Sequence, residues 1–168
     1  MVCDSGTGLI VKVGMAQFRI GVAPMRMYTM ALGSCVGIVI HDRVEQMGSL
    51  AHVMHPNRDK VKNNSNPAKF VDSAIEHMVS RMVRCGANRK RFTAKLFGGA
   101  QMFKHITGSK GLIQVGLENI EAARETLKSY NIPVIAESVG GTTGRTILFR
   151  IDNGSVYVCD AFDNEEIF

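Results

Sequence analysis

The sequence predicts an α+β layered domain: a mixed, largely antiparallel β-sheet with two main helices packed on it. Three observations carry this. Short apolar runs recur along most of the 168 residues, separated by Gly, Asn and Asp turn signals. Only two stretches repeat apolar residues at helical spacing. Strands and helices do not alternate regularly, which argues against a doubly wound parallel sheet. The length suits one domain with a sizeable core. Within it, residues 1–8 read as a loose leader, and the acidic end, 161–168, is expected to be mobile.

In chain order, Leu9 to Val13, Gln17 to Val22 and Met27 to Ala31 are strand candidates. Val36 to Ile40 is a continuous apolar run, the pattern of a strand covered on both faces. After the polar break Asp42-Arg43-Val44-Glu45, Gly48 to Met54 forms the return strand of a hairpin. If His41 pairs with Gln46 around a four-residue loop, Cys35 falls directly opposite His52. Their Cβ atoms would then be about 4.5–5.5 Å apart on one face. A one-residue slip would put them on opposite faces, and Gly37 or Gly48 could mark a bulge that shifts the pairing.

Residues 57–66 form a polar loop. Asn66-Pro67 supplies an N-cap followed by proline at the first helical position. Val71, Ile75, Met78, Val79 and Met82 then repeat at helical spacing, and Gly86 supplies the stop. Phe92 to Phe97 is a strand ending at Gly98-Gly99. A second helix is expected from about Leu117 to Tyr130, with Leu117, Ile120, Ala123 and Leu127 facing inward. Val134 to Val139 is a strand, Gly140 to Arg145 a tight glycine loop, and Asn153-Gly154 the turn of a terminal hairpin.

Composition narrows the function. Hydrophobic content is 45% and charged content 21%, ordinary for a soluble protein. No apolar run approaches the roughly 20 residues a membrane helix needs, and no signal peptide is readable. The expected location is the cytoplasm, without membrane insertion. Cys3, Cys35, Cys85 and Cys159 show no metal-ligand or disulfide spacing, so reduced thiols are expected. His52 and His55 lack a carboxylate or third histidine to complete a metal site. Net charge is +5. The densest cationic patch, Arg81, Arg84, Arg89, Lys90 and Arg91, has no interleaved aromatics and no recognition module, so nucleic acid is not expected as a partner. A solvated basic face or docking to an acidic protein remain as readings. The glycine loops lack the Lys-Ser/Thr and strand-loop-helix context of a phosphate cradle.

Cys35 is the candidate nucleophile. A lone cysteine is more often a buried, inert one. Here, however, Gly33 and Ser34 precede it, where backbone amides can approach a ligand as oxyanion donors. A histidine that can be placed opposite it would favour the thiolate. His41 sits at the far end of the hairpin and His55 falls on the other face if the strand continues as far as Pro56, so His52 is the preferred base, although it equally reads as an ordinary strand-end histidine. A third group is needed to orient the imidazole. Thr29, on the strand entering the turn, is a candidate, although a strand threonine is ordinarily a strand former. Asp42 and Glu45 are too near the hairpin tip.

Leu32-Gly33-Ser34-Cys35-Val36, followed by Ala51-His52-Val53-Met54, resembles CheD, the chemoreceptor glutamine deamidase family. The resemblance runs from about Gly14 to Asp160. It includes Gly98-Gly99-Ala100-Gln101-Met102-Phe103, Gly116 with Asn119, and Gly140-Gly141 with Gly144-Arg145. It implies Cys35 as nucleophile, His52 as base and Thr29 as third group, acting without cofactor on glutamines of methyl-accepting chemotaxis receptors. It also implies CheC phosphatase as partner, with Phe103 and its neighbours as contacts. The second function class is therefore a binding module that regulates CheC. Ser138 departs from the pattern, which leads us to expect an acidic residue there.

Overall fold

The computed structural model describes residues 8–58, 65–101 and 110–168. Among the described residues, ten strands form two five-stranded sheets. The first has the order β1 (Ile10–Lys12), β3 (Arg26–Leu32), β8 (Arg145–Arg150), β9 (Val156–Asp160) and β10 (Glu165–Ile167). The second has the order β2 (Gln17–Val22), β5 (Met47–Val53), β4 (Val36–Asp42), β6 (Thr93–Gly98) and β7 (Val134–Val139). Only β1 with β3 and β6 with β7 run parallel. Helices α1 (Val71–Arg84) and α2 (Lys110–Ser129) cover the second sheet. The fold is α+β, as expected, in three layers: helices, sheet, sheet.

Side-chain alternation explains the layering. Val36, Ile38 and Ile40 of β4 join Ala51 and Val53 of β5 in the core under the helices. Val39 and Leu50, from the opposite faces, join Met27, Ile147 and Phe149 between the sheets. All seven residues of β4 are buried, which is why that strand reads as an unbroken apolar run. On α1, Ile75, Met78, Val79 and Met82 are buried, each contributing roughly 1.5–3 kcal/mol by leaving water.

Four local expectations need correction. Asn66 and Pro67 do not open α1. They cap a short 3-10 turn, Pro67–Lys69, and α1 begins after Phe70 with no side-chain cap. The second helix begins at Lys110 rather than near Leu117, and while Ile120, Ala123 and Leu127 are buried, Leu117 is 44% exposed, so it lies off the buried stripe. The acidic end is not without structure: β10 pairs with β9, Val156 and Phe168 exchange backbone hydrogen bonds, and the Phe168 ring packs edge-on to Phe97.

The hairpin register is the fourth. Asp42 pairs with Met47 and Gly37 with His52, so the loop is 43–46 and Cys35 is not directly opposite His52. The cause is local. The Asp42 carboxylate accepts hydrogen bonds from the Val44 and Glu45 amides, and Gln46 takes a positive φ of 45°. Side chain–backbone bonding of this kind builds its own turn. Moving a four-residue loop by one position changes each pairing by two, which preserves which face every side chain occupies.

Candidate active site

Chain path and packing bring three of the expected residues to one end of the space between the sheets. β3 belongs to the first sheet and β4 to the second, so Gly33-Ser34-Cys35 is the crossover between them. The crossover starts at an irregularity: the β3–β8 register shifts between Thr29 and Leu32, and Ala31 adopts a φ of 58°. A non-glycine residue there is uncommon, and it turns the chain away from the first sheet. Thr29 and His52 are 1% and 2% exposed. Thr29 Oγ1 lies 2.7 Å from His52 Nδ1, bridging the sheets. Cys35 is half-buried and packs against the inter-sheet cluster.

Glycines permit the close approach that holds the crossover. A Cβ at Gly98 (φ 94°) would fall 2.5 Å from the Cys35 carbonyl oxygen. One at Gly116 would meet the Gly99 oxygen at 2.8 Å, so α2 and the end of β6 touch at backbone level. The Gly33 oxygen accepts from the Ala100 amide at 2.7 Å and the Cys35 oxygen from the Gly99 amide at 2.8 Å. Asn119, fully buried on α2, donates Nδ2 to the Ser34 oxygen at 3.0 Å. Three successive carbonyls are thus drawn toward β6 and α2. Each peptide unit is planar and trans, so the amides of Ser34 and Cys35 are directed the opposite way.

Burial favours the neutral form of both candidate groups. Burial pushes the Cys35 thiol above its ordinary value of 9.0, against the smaller opposing effect of its own amide. Burial also pushes the His52 imidazole down to about 4, because desolvation disfavours a charge. Among the described residues, His52 Nε2 is buried without a hydrogen-bond partner. In the tautomer that carries its hydrogen on Nδ1, a neutral imidazole presents a lone pair at the unengaged Nε2 that can accept a proton.

The chain matches the family model described as CheD chemotactic sensory transduction over residues 54–160. A relative from Moorella thermoacetica, named "Probable chemoreceptor glutamine deamidase CheD", is 43% identical over 88% of this chain and 89% of its own length. This chain belongs to the CheD family. A similarly named relative from Caldanaerobacter subterraneus is 42% identical, over 89% of this chain and 91% of its own. The fold extends further: a Neisseria meningitidis protein of the DUF152 family superposes with a TM-score of 0.51 at 9% identity, covering 80% of this chain and 64% of that one.

The other candidates fall elsewhere in this CheD fold. His41 is at the far end of β4, bonded to the Ile151 oxygen at 2.8 Å, and His55 packs near Phe70. Phe103 lies outside the described residues. Two cavities among the described residues are not lined by Thr29, Cys35 or His52. One, of about 940 Å³, is bounded by the end of α1, Arg89 and Tyr130. The other, of about 790 Å³, is bounded by Ser138, Arg145, Asp160 and Glu166. Ser138 accepts from Arg145 Nε at 3.1 Å. In the basic patch, Arg91 pairs with Asp42 and Glu45, Arg81 stacks on Phe18, and Arg89 lies over Tyr130 and donates to its carbonyl. No described helix is long and apolar enough to cross a membrane. Among the described residues no cluster of His, Cys, Asp or Glu could hold a metal. The residue that sequence reasoning did not assign is Asn119. It carried only a place in a family motif, and its signal was a polar residue on the buried stripe of α2.

Proposed function

We propose that this chain is a cysteine-dependent deamidase that converts glutamine side chains of chemoreceptors to glutamate. Its family membership and the names of its relatives support the reaction and the substrate. The observation that supports the residue assignment is the Thr29–His52 hydrogen bond, which leaves Nε2 as the unengaged ring nitrogen on a residue that pairs with Gly37, two positions beyond Cys35.

With Nδ1–H donated to Thr29 Oγ1, Nε2 presents its lone pair. As the glutamine carboxamide docks, Nε2 takes the Cys35 proton and sulfur attacks the carboxamide carbon. The amides of Ser34 and Cys35 receive the oxyanion. The C–N bond then breaks, and ammonia leaves with the proton from His52. Water, activated by the same nitrogen, attacks the thioester; the C–S bond breaks, the thiol regains its proton and glutamate is released. No step calls for a metal or nucleotide. Cys35 keeps partial exposure, as attack on a side chain presented by a helical receptor surface requires.

Ammonia release from a purified chemoreceptor cytoplasmic fragment tests the assignment. Release with the wild type and none with Cys35→Ala is expected; undiminished release with Cys35→Ala would sink the nucleophile.

A further inference from the structure

Asn119 joins both arms of the site. Its Nδ2 donates to the Ser34 oxygen and to the Met54 oxygen, each at 3.0 Å. Ser34 precedes the nucleophile, and Met54 lies two residues beyond His52. The amide orientation is fixed, because a flip would set Oδ1 against two carbonyl oxygens. Oδ1 itself is buried and, among the described residues, has no partner. A group that only filled the space beneath α2 would not need a polar atom left unsatisfied there. The flanking Gly33 and Cys35 carbonyls are held by backbone amides. The Ser34 carbonyl is held by this side chain.

We propose that Asn119 is a positioning residue: by holding the Ser34 carbonyl against α2, it aims the Cys35 amide at the oxyanion. The carbonyl and that amide are the two ends of one rigid peptide unit, so fixing one aims the other. The bond to Met54 keeps this aim constant relative to the strand that carries His52. The inference rests on the deamidase reading.

The test compares two reactions of the same thiol. Deamidation passes through an oxyanion, whereas alkylation of Cys35 by iodoacetamide does not. For full-length Asn119→Ala, deamidation kcat should fall about 10- to 100-fold with KM changed less than about threefold. Alkylation at Cys35, followed by peptide mapping, should change less than about threefold. Where Asn119→Ala fails to fold, the near-isosteric Asn119→Asp, which removes the donor, should give the same split. Unchanged kcat, or kcat and alkylation falling in parallel, would overturn the positioning role. Wild type that releases no ammonia, or Cys35→Ala that still does, would instead fell the deamidase reading, and this proposal with it.

Discussion

Thr29 on β3 and His52 on β5 meet across the gap between the two sheets, with Oγ1 2.7 Å from Nδ1. Both are nearly inaccessible to solvent, so the bond fixes the ring in a place where water cannot substitute, and the proposed reaction needs it to run from Nδ1–H to Oγ1. Thr29→Ala should lower kcat about 10- to 100-fold by releasing the tautomer, while Thr29→Ser should stay close to wild type. Steady-state kinetics on a receptor fragment would show it. Equal activity of Thr29→Ala would remove Thr29 from the site.

The pH profile follows from His52. Its folded pKa of about 4 lies below the ordinary 6.5, so the neutral, proton-accepting form persists well into acid. The acid limb of kcat/KM should fall near pH 4, not 6.5. An acid limb near 6.5 would contradict a buried, neutral base.

The same shift has a stability consequence of definite sign. In the unfolded chain the histidine binds its proton near pH 6.5, whereas the folded chain resists it until about 4. Stability is therefore fully present above 6.5 and declines as pH falls toward 4, by roughly 3 kcal/mol at most. His52→Gln should flatten that part of a denaturation-versus-pH curve.

Gly98 and Gly86 separate site geometry from backbone strain. Both take a positive φ, 94° and 101°, but an added Cβ meets the Cys35 oxygen at 2.5 Å at Gly98 and nothing within 4 Å at Gly86. Gly86→Ala should cost about 1 kcal/mol of stability with kcat unchanged. Gly98→Ala should cost activity as well, since the crossover must shift. Full activity in folded Gly98→Ala would show that the Cys35 carbonyl position is unimportant.

Asp42 is a structural counterpart. Burial alone would raise its pKa, but Arg91 and the Asn88 and Glu45 amides hold it below the ordinary 3.8. Asp42→Ala should destabilise by roughly 1–3 kcal/mol, because the turn loses its cap, yet leave kcat unchanged. A selective loss of kcat in a folded variant would tie the hairpin tip to the site.

What the sequence made legible follows physical range. Binary patterning over short distances placed β2 and β7 at their observed ends, and the unbroken run of β4 marked a strand buried on both faces. The facing of Cys35 and His52 survived although their pairing did not, because facing depends on parity alone. The pairing turned on the Asp42 cap, a side chain–backbone choice that periodicity does not encode. That the strands divide into two sheets was not readable, since it depends on the kink between Thr29 and Leu32, where Ala31 gives no glycine signal. Asn119 escaped for a similar reason: its partners, Ser34 and Met54, are 85 and 65 residues away.

If Cys35 is the nucleophile and His52 its base, the purified protein converts receptor glutamine to glutamate. Intact mass of a glutamine-bearing chemoreceptor fragment, after incubation with the purified protein, tests it most directly. The expected result is the mass increase of an amide-to-acid conversion, mapped to glutamine, and its loss in Cys35→Ala and His52→Ala. An unchanged mass with folded wild-type protein, or an undiminished increase with Cys35→Ala, would contradict it.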